Sequence, residues 1–394
     1  MPYKTIVLKR GKADSLRRFH PWVFSGAIQT LPDNLREGEI VRVEDASSQF
    51  LAVGHYQIGS IAIRILSFED VVVDDAFWDE RLSEALMLRR ALNLLRADNN
   101  IFRLVHGEGD RLPGLIVDIY GETAVMQAHS VGMHYARHQI AQSLQRILGK
   151  SVMQVYYKSE TTLPYKANLE ELDGPLLGNV SNNNVAVEND LHFHIDWLRG
   201  QKTGFFIDQR ENRLLLQHYS NKRHVLNMFC YTGGFSVYAL RGGAQEVVSV
   251  DSSAKAIDLT NANVALNYPN CGHHKAYAED AFKFLDKSDD IYDLIVLDPP
   301  AFAKHKEAVR NALKGYTRLN LQAMRKIKRG GILFTFSCSQ AISKDQFRLA
   351  VFTAAAQSGR YVRILHQLHQ PADHPVNIYH PEGEYLKGLV LEII

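Results

Sequence analysis

The chain has 394 residues, 46% of them hydrophobic and 22% charged, with a formal net charge of +2. That length predicts two or three domains, and so small a net charge does not by itself announce a nucleic-acid partner. No apolar run approaches the roughly 20 residues of a bilayer span, no apolar leader opens the chain, and three scattered cysteines (Cys230, Cys271, Cys338) fit neither a disulfide framework nor a zinc cluster. A cytoplasmic protein without metal is expected.

The first twenty residues carry Lys4, Lys9, Arg10, Lys12, Arg17 and Arg18 against Asp14 alone. Such a patch suits phosphate contacts, although a solvated basic end is the plainer reading. Short strands follow at Thr5–Leu8, Glu39–Val43, Phe50–Tyr56 and Ile61–Leu66, punctuated by Gly, Asp, Ser and Pro as in a small barrel. Trp22 and Phe24 read as barrel core. The apolar stripe from Ala76 to Leu95 predicts a helix.

The middle of the chain reads as α+β. Strands are predicted at Phe102–His106, Leu115–Tyr120, Thr123–His129 and Val152–Tyr157, with a helix over Tyr135–Leu148. The Gly- and Asn-rich stretch Gly174–Asn184 reads as a surface loop or domain boundary, and Asn189-Asp190 as a hairpin turn. From Asp196 onward strands alternate with helices. Strands are expected at Val225–Phe229, Glu246–Val250, Tyr292–Leu297 and Ile332–Phe336, and near Tyr361–Leu368 and Tyr385–Ile393. Helices are expected at Phe235–Leu240, Ala254–Leu266, Ala281–Leu285, Arg310–Lys328 (stopped by Gly330-Gly331) and Lys344–Gln357. This alternation predicts a mostly parallel sheet covered on both faces, which binds ligands beyond the carboxyl ends of its strands. The expected domains are residues 1–75, a small β pseudo-barrel, 76–190, a central α+β domain, and 191–394, an α/β domain.

Four loops at those strand ends carry chemistry. Tyr231-Thr232-Gly233-Gly234 would let a ligand approach the backbone at a helix start. Asp251-Ser252-Ser253 offers a carboxylate for ribose hydroxyls or a helix cap. Asp280-Ala281 offers an acceptor for an adenine amino group, or again a cap. Asp298-Pro299-Pro300 places one acid on a stiffened turn, as doubly wound methyltransferases use to hold a planar nitrogen-containing ring. Taken in order, the four point to S-adenosylmethionine. Upstream, Lys202, Phe205, Asp208, Gln209 and Arg210 are candidates to cover or contact it, or else they form a helix start with packed Phe residues. At the next strand end stands Cys338, where an acid and a thiol from neighbouring strands could meet one base. Buried cysteine packing is the alternative reading there.

These elements together resemble the RlmI family of large-subunit ribosomal RNA cytosine-C5 methyltransferases. The resemblance runs through Arg18-Phe19-His20-Pro21-Trp22-Val23-Phe24-Ser25-Gly26, Gly107–Leu115, Lys202-Thr203-Gly204, Asp208-Gln209-Arg210 and Tyr231–Phe235. It continues through Phe336-Ser337-Cys338-Ser339, Ala372–Pro375 and Glu382–Gly388, nearly the whole chain. It implies an N-terminal RNA-binding PUA domain, a central α+β domain and a C-terminal Rossmann-like methyltransferase with a mostly parallel seven-stranded sheet. It implies S-adenosylmethionine as methyl donor and ribosomal RNA as partner, and leaves a homodimer open. Tyr231, Thr232, Gly233, Asp251, Asp280 and Asp298 would surround cofactor or base, and Cys338 would be the nucleophile. Many RNA cytosine-C5 methyltransferases carry a second cysteine directly after the proline pair, where this chain has Ala301.

Thiolate addition to cytosine C6 makes C5 nucleophilic, so Cys338 is expected in a partly polar pocket with a lowered pKa. Asp298 would hold protonated N3 and the amine. Arg17, Arg18 and His20 are the candidate RNA contacts. Two alternatives stay open: N-methylation of guanine or adenine in RNA with a structural Cys338, and a non-catalytic RNA-binding assembly factor that keeps the pocket.

Overall fold

The computed structural model describes residues 3–164, 169, 173–179, 184–287, 291–303 and 305–394. Two compact units make up the chain. Met1–Val187, Ile195–Phe205 and Ala372–Gly383 form the first, and Glu188–His194, Phe206–Pro371 and Glu384–Ile394 the second.

In the first unit a six-stranded sheet runs in the spatial order Trp22–Phe24, Ile61–Ser67, Phe50–Tyr56, Ile40–Glu44, Lys4–Leu8, Ile28–Thr30. Alternate residues Ile6, Leu8, Val41, Val43, Ile63 and Ile65 fill its core, as a period of two dictates. The same alternation corrects the reading of Phe24. Val23 points inward at 3% exposure, so Phe24 is turned outward and is 48% exposed. Strands Trp22–Phe24 and Ile28–Thr30, at the two edges, are too short to give a periodic signal.

A five-stranded sheet follows, in the order Gly174–Leu177, Gln154–Tyr157, Thr123–Ala128, Leu115–Tyr120, Ile101–His106. Helices Asp75–Ala91 and Arg137–Leu148 accompany it, with leucines of both in its apolar cluster. Asp74 caps the first by accepting from Phe77 N at 3.1 Å. That helix ends earlier than its stripe suggests, because Asn93 turns into the left-handed region at φ 54°. The second predicted helix is two, Val131–Tyr135 and Arg137–Leu148, and begins at a Ser130 cap. Gly174–Leu177, expected as loop, is a strand. It lies at the sheet edge, the place where Pro175, lacking an N–H, is tolerated. Residues 180–183 of that expected loop lie outside the described ones.

Residues 372–383 belong to this first unit although they come near the end of the chain. Arg89, fully buried, forms a bidentate pair with Asp110 and donates to the Asp373 carbonyl at 2.7 Å. Arg103 N donates to Asp373 Oδ2 at 3.0 Å. At the hairpin between Val185–Glu188 and Leu191–His194, Asn189 and Asp190 both take positive φ, 50° and 63°, as a two-residue turn requires.

The second unit is built on one seven-stranded sheet. Its strands are β1 (His224–Met228), β2 (Glu246–Asp251), β3 (His274–Ala278), β4 (Tyr292–Leu297), β5 (Ile327–Ser337), β6 (Val362–Leu368) and β7 (Lys387–Ile393). The order is β3-β2-β1-β4-β5-β7-β6, with β1 to β5 parallel and β7 antiparallel to both neighbours. The strand order reverses between β1 and β4, which makes the carboxyl ends of those strands the expected ligand crevice. Helices α1 (Arg210–Tyr219), α2 (Gly234–Arg241), α3 (Ala254–Asn267), α4 (Ala281–Lys287), α5 (Val309–Arg325) and α6 (Lys344–Ser358) complete the unit.

Two apolar clusters of this unit divide the strand side chains by parity. Ile295, Leu297 and Leu333 join one, and Leu294, Val296 and Phe334 the other. Gly330-Gly331 does not stop α5, which already ends at Arg325. The two glycines sit in a bulge of β5, where Asp293 alone opposes residues 328–331 between the pairs Tyr292–Ile327 and Leu294–Ile332. Among the described residues no helix is long and apolar enough to cross a membrane.

Candidate active site

The loop after β1 is held in an unusual conformation. Phe229, Tyr231 and Gly233 all have positive φ, 59°, 46° and 74°. Its carbonyls are bound from α3: Thr260 Oγ1 donates to Tyr231 O at 2.9 Å and Asn263 Nδ2 to Thr232 O at 2.8 Å. A Cβ at Gly233 would lie 2.7 Å from Thr260 Cγ2, so the close approach as well as the backbone demands glycine. Cys230 packs beneath, 3.5 Å from Thr260 Oγ1, and burial pushes its thiol up to about 12.

Asp251, at the end of β2, ties two loops together. Its Oδ2 accepts from Tyr231 N at 3.1 Å and its Oδ1 from Ser253 N at 2.9 Å. Ser253, not Asp251 or Ser252, caps α3 by accepting from Ala256 N. The cap and the acid are thus separate residues. Ser252 is exposed on the same loop. Past β3, exposed Asp280 accepts from Lys283 N at 3.0 Å and thereby caps α4, which Ala281 opens.

Before α1, Ile207–Gln209 form a single helical turn of the tighter 3₁₀ type, and the Phe206 ring meets Tyr231 edge-on at 5.2 Å. Asp208 Oδ2 accepts from the Tyr385 hydroxyl at 2.7 Å, while its Oδ1 is buried with no hydrogen-bond partner among the described residues. Gln209 is buried, takes a hydrogen bond from Asn212 at 2.6 Å and hydrogen-bonds Asp298. Arg210, also buried, donates to Glu211 at 3.1 Å. Lys202 and Phe205 belong to the first unit. Lys202 is exposed there, and Phe205 is buried with its carbonyl accepting from Tyr120 at 3.4 Å.

Asp298 follows β4 and Cys338 follows β5, strands paired in register up to Leu297–Thr335. Cys338 Sγ lies 4.0 Å from the Pro299 carbonyl oxygen, so thiol and acid turn flank one another. The Asp298 residue is half-buried but its carboxyl is desolvated; burial, then the Asp208 charge, raise it to about 7. Cys338 is partly exposed, so it is not sealed in the core. Its thiol is nonetheless pushed up to about 12, first by burial and then by Asp298 and Asp208. This is opposite to the expected lowered pKa, since burial, and then two neighbouring acids, disfavour a thiolate.

Sequence reasoning assigned no role to Tyr385 or Lys387. Lys387 pairs with Ser337 across β5 and β7 and is 6% exposed. Only the sheet pairing reveals this proximity.

In the first unit the basic residues are partly spent. Lys4 pairs with Glu39 at 3.0 Å, and Arg17 with Asp45 at 2.6 Å and Asp14 at 3.6 Å. Arg18 is exposed and donates to the Asp14 carbonyl at 3.3 Å. The His20 ring lies 6.2 Å from Trp22 and 6.1 Å from Phe24, and Trp22 Nε1 donates to Glu108 at 2.8 Å. A groove of about 330 Å³ is lined by Leu8, Lys12, Ser15, Val23 and Phe24.

Residues 165–382 match the family model of S-adenosylmethionine-dependent methyltransferases, and residues 6–68 that of PUA-like domains. The chain is 38% identical over 397 residues to ribosomal RNA large subunit methyltransferase I of Tolumonas auensis, covering 99% of each. The chain belongs to this methyltransferase family. A Klebsiella pneumoniae (strain 342) member of the same name is 36% identical over 398 residues, covering 100% of this chain and 99% of the relative. The fold is shared with SMU.776, solved as a complex with SAH, at a TM-score of 0.85 and 21% identity, covering 99% of this chain and 100% of that one.

Family membership makes S-adenosylmethionine the methyl donor. The residues present fit such a group. Asp208 Oδ1 is buried and has no partner among the described residues, and the paired acids Asp208 and Asp298 would be stabilised by a cationic ligand.

Proposed function

We propose that this methyltransferase forms 5-methylcytosine in large-subunit ribosomal RNA, with Cys338 as nucleophile and Asp298 as the group that holds the base. The observation that carries the reading is the approach of Cys338 Sγ to the Asp298-Pro299 turn at the ends of two paired strands. The names of the curated relatives support ribosomal RNA as substrate, which would put the enzyme in the cytoplasm.

Asp298, titrating near 7, can carry a proton at neutral pH. In this reading it gives that proton to cytosine N3 while the Cys338 sulfur, its own proton released to solvent water, bonds to C6 and opens the C5–C6 double bond. Electron density moves to C5, which then carries out the methyl transfer. The cofactor supplies an electrophilic methyl group. Transfer of the C5 proton to solvent water restores the C5–C6 double bond and expels the Cys338 sulfur as thiolate, and N3 returns its proton to Asp298. With Ala301 after the proline pair, no second thiol stands there to assist release. Asp251 is assigned to the ribose hydroxyls, Asp280 and Ala281 to the adenine, and Tyr231, Thr232 and Gly233 to the methionine side of the donor. Asp208, Gln209 and Arg210 would line the same pocket. We assign RNA contact to residues 1–75, through Arg18, His20 and, with its charge already compensated, Arg17. Residues 76–190 and 191–394 are the proposed central and catalytic domains.

Cys338→Ala should abolish methyl transfer while cofactor binding persists, and RNA containing 5-fluorocytosine should become covalently attached to the wild type alone. The high thiol pKa favours one second reading, N-methylation of a guanine or adenine amino group held by Asp298, with Cys338 structural. Turnover by Cys338→Ala without any trapped adduct would select it. Absence of methyl transfer from labelled cofactor to ribosomal RNA in the wild type would select a non-catalytic assembly factor instead.

A further inference from the structure

We propose that Lys387 is a positioning residue for Cys338, its buried ammonium clamping the loop that follows the thiol and supplying the counter-charge that a thiolate there requires. The catalytic use of this coupling rests on the reading of Cys338 as nucleophile. Lys387 Nζ donates to Ser339 O at 2.6 Å and to Ile342 O at 2.9 Å. Lys387 is paired with Ser337, so Cys338 lies between the residue Lys387 faces across the sheet and the first carbonyl it holds. The loop is fixed again from the other side, where Ser339 Oγ lies 3.2 Å from the Tyr316 hydroxyl and accepts from Ala303 N at 3.4 Å.

Among the described residues, the other charges acting on the thiol are negative. Asp298 and Asp208 face it, and Tyr316 packs beside it from α5. Among the described residues Lys387 is the cation that acts on it, while Glu384 and Lys344, themselves ion-paired, act in turn on Lys387. Burying an ammonium is expensive, and two carbonyls can be satisfied by a neutral donor. A lysine at this place is explained by its charge. Burial lowers its pKa to about 8, offset by the Cys338 and Glu384 charges. It is therefore mostly charged at neutral pH and loses that charge in mildly alkaline solution.

The test compares wild type, Lys387→Gln, which keeps a donor without charge, and Lys387→Arg, which keeps charge. All are made in a Cys271→Ser background, and iodoacetamide alkylation of Cys338 is followed by peptide mass spectrometry across pH 6 to 10. Lys387→Gln should slow alkylation by about tenfold or more, equivalent to a thiol pKa at least one unit higher, and Lys387→Arg should recover part of it. In methyl transfer, kcat should fall by a similar factor with KM for RNA little changed. Equal alkylation profiles in folded wild type and Lys387→Gln would overturn the proposal. Should both variants misfold, the wild type alone decides: log alkylation rate should flatten above about pH 8 as the lysine discharges, whereas unit slope up to pH 10 would overturn it. Alkylation needs neither RNA nor cofactor. An active Cys338→Ala would thus remove the catalytic reading without touching the coupling, and the reverse combination would remove the coupling alone.

Discussion

Arg213 closes two parallel hydrogen bonds on Glu188, Nε to Oε1 at 2.9 Å and Nη2 to Oε2 at 2.7 Å, with neither side chain more than 3% exposed. Its remaining arm donates to Phe206 O at 2.8 Å, and Tyr238 donates to Glu188 Oε1 at 3.0 Å. The pair thus fastens the segment that carries Asp208 and Gln209. Glu188→Gln leaves a buried guanidinium uncompensated and should lower stability by about 3 kcal/mol. Urea unfolding measures this; a loss below about 1 kcal/mol would mean water reaches the site.

Gly233→Ala forces a side chain into the left-handed region, at about 1–2 kcal/mol, and drives its Cβ onto Thr260. A drop in stability of about 2 kcal/mol or more is expected, together with weaker S-adenosylmethionine binding by calorimetry. Gly233→Ala combined with Thr260→Ser removes the Cγ2 clash and should recover part of the stability. No recovery would show that backbone conformation alone sets the cost.

Asp298 binds its proton more tightly folded than unfolded, because its pKa rises from 3.8 to about 7. Its stabilising contribution is therefore complete below about pH 4 and is lost as pH climbs to 7. Asp298→Asn has no such dependence. Relative to wild type it should be equally stable near pH 4 and more stable at pH 8, by about 1–2 kcal/mol once partial exposure is discounted. Parallel stability curves for the two proteins would contradict the raised pKa.

Arg18→Ala should reduce the slope of log affinity against log salt for single-stranded ribosomal RNA fragments by about 0.7, one phosphate contact. Arg17→Ala should change it less, since Asp45 and Asp14 already neutralise that guanidinium. Unchanged slopes in both would remove this face from the RNA path.

Local periodicity made much of the architecture readable in advance. Strands Phe50–Tyr56, Leu115–Tyr120 and Tyr292–Leu297 fall at their predicted limits, because each is an apolar run bounded by turn residues. The acid loops were readable for the same reason, each following such a run. What stayed hidden depends on partners far away in sequence. The strand at Gly174–Leu177 exists through its pairing with Gln154–Tyr157, against its own composition. Glu188–Arg213 and the Lys387 clamp join residues that no periodic pattern relates. The direction of the Cys338 shift was not readable because flanking serines announce polarity but neither the burial of the thiol nor the sign of the field that Asp298 and Asp208 add.

The membership of Ala372–Gly383 in the first unit carries a consequence for biogenesis. A nascent chain emerges from the ribosome N-terminus first, and domains generally mature in that order. Here Arg89 and Arg103 wait for Asp373, 284 and 270 residues later in the chain. The first unit is begun early yet stays incomplete until residues 372–383 have been made, and a chain truncated before this segment would leave it without those anchors.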